Sequence, residues 1–262
     1  MTGHILVVKI GGSTLGQGDT SLADLVLLQK RSQKVVVVHG GGGAVSHWSS
    51  RLGIKSTFIA GLRVTNQEEL PVVTAVLAGL VNKQLVLDLN NAGGNAVGIS
   101  GVDGKLIKAD VMSPALGYVG DVGRVKPHVL STLLDAGFIP VVAPVCYGKR
   151  EGTRTLLNVN ADDVAAEIAI AVGASRLVFL TDVPGVLDKK KKILSRLSAS
   201  EVDRLTLEGT IKGGMLPKTR ACVVASQRVQ ETRIIDGTME HALLREFDAQ
   251  SGGTSIVRDE LA

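Results

Sequence analysis

The chain is poor in the residues that mark several common kinds of protein. Aromatic residues make up 3% of its 262 positions, too few for the stacking platforms on which single-stranded nucleic acids are bound. Two cysteines, Cys146 and Cys222, cannot build a disulfide framework, and no CxxC pair or Cys/His cluster has the spacing of structural zinc. A reducing, cytoplasmic setting is expected. The longest purely apolar runs, such as 35–38, are strand-sized and far short of the roughly 20 residues that cross a bilayer. No membrane association is expected. The N-terminal apolar stretch is cut by Lys9 and does not read as a signal peptide. His4, His47, His128 and His241 show no metal-ligand spacing, so no protein metal site is expected. GxGxxG, GxxxxGK[ST] and GxSxG are absent, which argues against dinucleotide folds, Walker-type loops and nucleophile elbows. The net charge of +4 comes mostly from dispersed lysine and arginine. The one dense run, 189–192, follows Asp188 and reads as a solvated turn rather than a phosphate-backbone patch, so no nucleic-acid partner is expected.

What is present is an alternation of short apolar runs with helical segments. Strands are predicted at 5–10, 35–39, 96–100, 139–145, 177–181, 232–235 and 255–257. Most are continuously apolar, as strands buried on both faces are, which predicts an α/β protein with a mainly parallel sheet between helical layers. Helices are predicted at 22–31, 43–52, 68–91, 163–172 and 216–227, several bounded by glycines that suit helix ends. The segment 106–124, with scattered glycines and Val111, Tyr118, Val119 and Val122, reads as β-hairpins forming a lid or a substrate-site wall. A chain this long accommodates one large unit or two lobes sharing a sheet. A boundary near Gly173 divides it into 1–173 and 174–262.

Candidate functional residues gather where strands end. In an open parallel sheet, ligands bind beyond the carboxyl ends of the strands. The first strand ends in Lys9-Ile10-Gly11-Gly12-Ser13, and a lysine late in a buried strand is costly without a partner. The second ends in His39-Gly40-Gly41-Gly42-Gly43 before a helix, where free N–H groups form an anion site. Arg63 precedes the long helix and suits a bidentate grip on a carboxylate, or is an ordinary surface arginine. Asn158-Val159-Asn160-Ala161-Asp162-Asp163 opens a helix; one side chain there serves as the N-cap, and the others are surplus to that need. Thr181-Asp182 ends another strand. Lys218, after Gly213-Gly214-Met215, stands at a helix start, where a cation opposes the helix dipole.

Taken in order, VVKIGGS, VVVVHGGGG, GLRVT, LAGLVNK, GGNAVGISGVDG, GYVGDVG, LLNVNADDVAAEIA, LVFLTDVPGVL and GTIKGGMLPK resemble the amino-acid kinase family nearly end to end. The resemblance implies a three-layer αβα sandwich around a mainly parallel sheet of about eight strands with a β-hairpin lid. The N-terminal lobe would bind the acyl substrate and dimerise, and the C-terminal lobe would bind ATP with Mg²⁺. It implies that Lys9 and Lys218 stabilise a transferred phosphoryl group and that Asp162 orients both. Gly41, Gly42, Arg63 and Asn158 would hold the substrate. Gly11, Gly12, Thr181, Asp182, Gly213, Gly214 and Met215 would border the nucleotide. The implied reaction is phosphorylation of the γ-carboxylate of N-acetyl-L-glutamate in arginine biosynthesis, by a cytoplasmic homodimer insensitive to arginine because the chain enters its first strand by Ile5. Val102 stands where many members with that substrate carry lysine, so an aminoadipate-type kinase of lysine synthesis stays open. A non-catalytic sensor on the same fold is a further alternative, disfavoured by the presence of Lys9, Asp162 and Lys218.

Overall fold

The computed structural model describes residues 4–11, 20–247 and 252–259; Gly12 therefore lies outside the described residues. Eight strands form one sheet in the order Arg196–Ser198, Thr254–Val257, Glu231–Asp236, Arg176–Thr181, Ile5–Ile10, Lys34–His39, Ile139–Ala143 and Ala96–Ser100. Every neighbouring pair is parallel except Glu231–Asp236 with Thr254–Val257. Because side chains alternate across a strand, the apolar runs fill two cores at once. Val7, Val36, Val38, Leu177, Phe179 and Ile234 face one side, packed with residues of the helices Ala161–Ala171 and Met215–Ser226. Leu6, Val8, Val35, Val37, Val178 and Leu180 face the other, with residues of Ser21–Lys30, Asn82–Asn91 and Ala242–Phe247. Each such side chain, fully buried, contributes about 1.5–3 kcal/mol of transfer free energy. The three-layer sandwich and the mainly parallel sheet are thus as the sequence predicts.

Ile5–Ile10 lies mid-sheet, with Lys34–His39 on one side and Arg176–Thr181 on the other. The order therefore reverses at the first strand, and a crevice opens at its carboxyl end.

The predicted hairpin region is β-rich, but its strands Ile107–Val111 and Val119–Val125 join Val145–Arg150 and Thr153–Val159 in a closed four-stranded barrel. Its strands Val119–Val125 and Thr153–Val159 contribute to the wall of a cavity rather than forming a free lid. The lid-like element is a two-stranded hairpin, Thr57–Ile59 with Leu62–Val64, whose first strand is fully exposed.

The helix Glu69–Asn91 is long and apolar enough, by length and composition alone, to cross a membrane; an 18-residue window averages a hydropathy of 1.7, with 33% of it buried. Polar residues such as Thr74 and Asn82 interrupt it, so it holds no long unbroken apolar run. Its middle, Ala75–Val81, is π-helical. Val72, Val73, Val76 and Leu77 pack it against Val45 and Val145.

Candidate active site

Lys9 is the penultimate residue of the first strand and shares a face with Val7. That face looks toward the N-terminus of the helix Ala161–Ala171. Asn160 caps this helix, its side chain accepting the Asp162 N–H at 2.7 Å and the Asp163 N–H at 3.3 Å. Of the surplus Asn and Asp residues, the cap accounts for Asn160 alone. Asp162 stands in the first turn, where the helix dipole favours a carboxylate. The Lys9 Nζ lies 2.8 Å from its Oδ1, with both residues buried. This is a close ion contact without the alignment of a hydrogen bond. The Met215–Ser226 helix packs beside Ala161–Ala171 and brings the Lys218 Nζ to 3.7 Å from Asp162 Oδ2; that ammonium also donates to the Gly214 carbonyl at 3.1 Å. Two lysines distant in sequence therefore converge on one carboxylate. The cation that opposes its own helix dipole is compensated by the acid of the next helix.

The glycine run has distinct roles at each position. Gly40 donates its N–H to the Ile10 carbonyl at 3.0 Å, and a Cβ there would lie 3.9 Å from Lys9 Nζ. Gly41, the N-cap of the helix Gly42–Arg51, has φ +150, and a Cβ would meet Leu77 at 2.7 Å. Glycine is required there by conformation and by space. Gly42 and Gly43 have open space where a Cβ would be. Nothing in the packing demands glycine at those two, which open the helix and leave its first turn bare. Both line a cavity of about 420 Å³ together with Arg63, Val119, Asn158 and Asn160. The cavity adjoins the lysine–aspartate cluster, since Gly42 lies two residues past Gly40 and Asn160 two before Asp162.

Arg63 is buried, not a surface arginine. Its Nη1 donates to Glu69 Oε1 at 2.8 Å and to Ser56 Oγ; its Nη2 donates to the Gly42 carbonyl at 2.9 Å and to Ser46 Oγ at 2.6 Å. Its face covers the Phe58 ring. Both terminal nitrogens are thus engaged, and a carboxylate entering the cavity would share the guanidinium with Ser46 or displace it. Glu69, Ser46 and Ser56 escape the sequence reading: they carry no motif, and only the fold brings them to Arg63. Asn158 lines the cavity and donates to Thr65 Oγ1 at 3.0 Å.

Of the residues expected to border a nucleotide, Thr181 lies one step beyond the Ile10–Leu180 pair, level with Gly11. Thr181 is buried, its hydroxyl accepting the Val183 N–H at 2.9 Å, whereas Asp182 is exposed. Gly213, with φ +56, and Gly214 are exposed, and Met215 is half-buried. Gly213 and Gly214 line a second cavity of about 670 Å³ that also contains Asp163 and Arg220. Burial, with the Asp162 and Asp121 charges adding to it, pushes the Asp163 carboxyl up to about 6 against the pull of Arg220. Burial and the nearby Lys9 and Lys83 charges lower His39 to about 4, although its hydrogen bond to Gly40 works the other way. His39 and Asp163 are two titratable residues beside the site that the motifs do not single out. Among the described residues no three His, Cys, Asp or Glu side chains group as metal ligands.

The arrangement can hold a polyanion between two ammonium groups and bare backbone amides, next to a cavity lined by an arginine and two asparagines. Comparison with known proteins agrees with that chemistry. A family model described as the amino acid kinase family matches residues 4–236. A protein of Dehalococcoides mccartyi named acetylglutamate kinase is 44% identical over 261 residues, covering 98% of this chain and 96% of its own. Among solved structures, smu.665 from Streptococcus mutans superposes with a TM-score of 0.85 at 30% identity, covering 97% of this chain and 99% of that one. An N-acetylglutamate synthase from Neisseria gonorrhoeae, complexed with coenzyme A and N-acetyl-glutamate, gives 0.82 at 25% identity, with 98% of this chain matching 60% of that one.

Proposed function

Since the chain belongs to the amino-acid kinase family, we propose that it transfers the γ-phosphoryl group of MgATP to the γ-carboxylate of N-acetyl-L-glutamate. The observation that carries this reading is the convergence of Lys9 and Lys218 on Asp162 at the reversal point of the sheet. The acceptor is already ionised at neutral pH, a glutamate-like acid having a pKa near 4.3, so no general base is needed. A carboxylate oxygen attacks the γ-phosphorus and forms the new P–O bond. The bridging P–O bond breaks, and ADP leaves with its electron pair. The chain's task is to bring two anions together and stabilise charge on the phosphoryl oxygens. Lys9 and Lys218 supply compact positive charges, and Asp162 fixes where both ammonium groups point. The amides of Gly41 and Gly42 add donors, and Gly11 borders the nucleotide. Arg63 and Asn158 face the acceptor's α-carboxylate end; Val119, Leu62 and Phe58 enclose its carbon skeleton. Thr181, Asp182 and Gly213–Met215 border the nucleotide. Mg²⁺ enters on the nucleotide: a site with one carboxylate between two lysines, rather than a cage of acids, suits an ion that keeps phosphates and waters as its ligands.

The division into 1–173 for the acceptor and 174–262 for the nucleotide belongs to the same proposal. So does a homodimer. The exposed Leu80 of the long helix and Leu52, just past the end of the neighbouring helix, line an apolar groove that a second copy would cover.

Hydroxylamine trapping of the acyl phosphate tests the substrate assignment, with acetylglutamate, acetylaminoadipate and free glutamate offered separately. Hydroxamate is expected with acetylglutamate. Trapping only with free glutamate, or only with acetylaminoadipate, would overturn it.

A further inference from the structure

His39 is 1% exposed and lies between the second strand and the glycine run. Its Nδ1 is 2.7 Å from the Gly40 carbonyl oxygen, and its Nε2 is 3.2 Å from Asn82 Nδ2. The orientation of Asn82 is fixed independently. Its Oδ1 receives the Lys83 ammonium at 3.0 Å, and its Nδ2 donates to the Val141 carbonyl at 2.9 Å. The amide therefore presents N–H, not oxygen, to the imidazole, and Nε2 must be the acceptor. The proton then sits on Nδ1 and is donated to Gly40. The result is one directed chain: Lys83 to Asn82, Asn82 to His39, His39 to the Gly40 carbonyl. Gly98 makes room for it, because a Cβ there would overlap Asn82 Oδ1. Asn82 also ties together the ends of three strands, Lys34–His39, Ile139–Ala143 and, through Ile99, Ala96–Ser100.

In a planar trans peptide the carbonyl of one residue and the N–H of the next point in opposite directions. Holding the Gly40 carbonyl against the imidazole turns the Gly41 N–H the other way. On that basis, and resting on the kinase reading above, we propose that His39 and Asn82 are positioning residues that aim the Gly41 N–H at the transferred phosphoryl group. The Lys9 ammonium stands near Gly40, 3.9 Å from where a Cβ there would lie, so the Gly41 amide and that cation would act on one oxygen cluster. Preorganised donors of this kind matter most where charge develops in the transition state.

Three substitutions at one position separate the possibilities. His39→Asn keeps a donor near the place of Nδ1; His39→Gln keeps a polar group near Nε2 but loses the donor to Gly40; His39→Leu keeps neither. The expected kcat is within about 5-fold of the parent for His39→Asn and roughly 30- to 100-fold lower for the other two, a donor of this type being worth about 10²–10³. KM values for MgATP and acetylglutamate should change less than about 3-fold, since the interaction is made in the transition state. Calorimetry of MgADP with and without aluminium fluoride gives a readout independent of turnover. The transition-state mimic should weaken in the same rank order while MgADP alone does not. If the three variants fall together in proportion to lost thermal stability, or KM rises with kcat unchanged, the pair is structural and the proposal fails. Should His39→Leu not fold, the Asn and Gln variants decide between themselves. If the parent protein phosphorylates none of the offered carboxylates, the functional reading fails, while the aluminium fluoride series still decides the role of His39.

Discussion

Two buried ion pairs with the same 2.8 Å separation, Lys9–Asp162 and Arg63–Glu69, use their bonding capacity in opposite ways. Around Arg63 the capacity is spent: the guanidinium meets Glu69, two serines and a carbonyl, and Glu69 also accepts from Ser49 and Ser56. Such a cluster clamps the hairpin, the glycine-run helix and the start of the long helix into one wall. Around Asp162, two cations approach one acid, neither in an aligned hydrogen bond with it. Buried polar groups are normally satisfied, and a group held below saturation is ready for a ligand. On the proposed reading, the contrast separates an arginine that shapes the cavity while meeting the acceptor from lysines that act on the transferred group.

The largest expected effect comes from removing an acting charge. Lys9→Met or Lys218→Met should lower kcat by about 10²–10³, or about 3–4 kcal/mol, in a coupled ADP assay. Lys218→Met should leave thermal stability close to the parent, because Lys218 is the outer member of the cluster. Equal losses of stability in Lys218→Met and Glu69→Gln would erase the distinction drawn above. At the shaping pair the order reverses. Arg63→Met strands the Glu69 carboxylate and should cost about 3–5 kcal/mol of stability, seen as a fall in Tm of roughly 10 °C.

Smaller effects sharpen the boundary between the two regions. The Asp163 carboxyl is raised to about 6 in the fold from an ordinary value near 4. Between those limits the folded chain holds a proton that the unfolded chain releases, so this residue makes stability fall as pH rises from 4 to 6. Asp163→Asn should therefore stabilise the protein above pH 6 by about 2 kcal/mol. The gain should disappear below pH 4 in denaturation midpoints taken across that range. A constant gain at every pH would mean that the carboxyl does not titrate there. The smallest contrast is within the glycine run. Gly41→Ala should cost about 1–3 kcal/mol through overpacking against Leu77. Gly42→Ala, in open space inside a helix, should hold or add up to about 1 kcal/mol while raising the acceptor KM.

The sheet was legible because strands buried on both faces leave unbroken runs such as Val35–Val38, and the helices because glycines punctuate them. The barrel strands Val145–Arg150 and Thr153–Val159 were not, since glycine, lysine and arginine interrupt their apolar pattern, although the two pair with each other across the turn at Glu151-Gly152. The hairpin Thr57–Val64 buries too little to leave any periodic signal. Lys9, Asp162 and Lys218 could be named from the order of the motifs, but their meeting depends on how three elements pack. Arg63 shows the limit: its type suited a carboxylate, and nothing local revealed that Glu69, the first residue of the next helix, already supplies one.

The π-helical stretch Ala75–Val81 has a geometric consequence of its own. A π turn takes up about one residue more than an α turn, and each residue in an α-helix advances the azimuth by about 100°. Rewinding that stretch as ordinary α-helix with no residue removed would swing everything beyond it around the axis. Asn82 would then leave the sheet, and with Leu77 inside the wide turn and Asn82 just beyond it, a plain α-helix could not present Leu77 to Gly41 and Asn82 to His39 together. The wide turn works as a phase adjuster that lets one rod serve two contacts out of step.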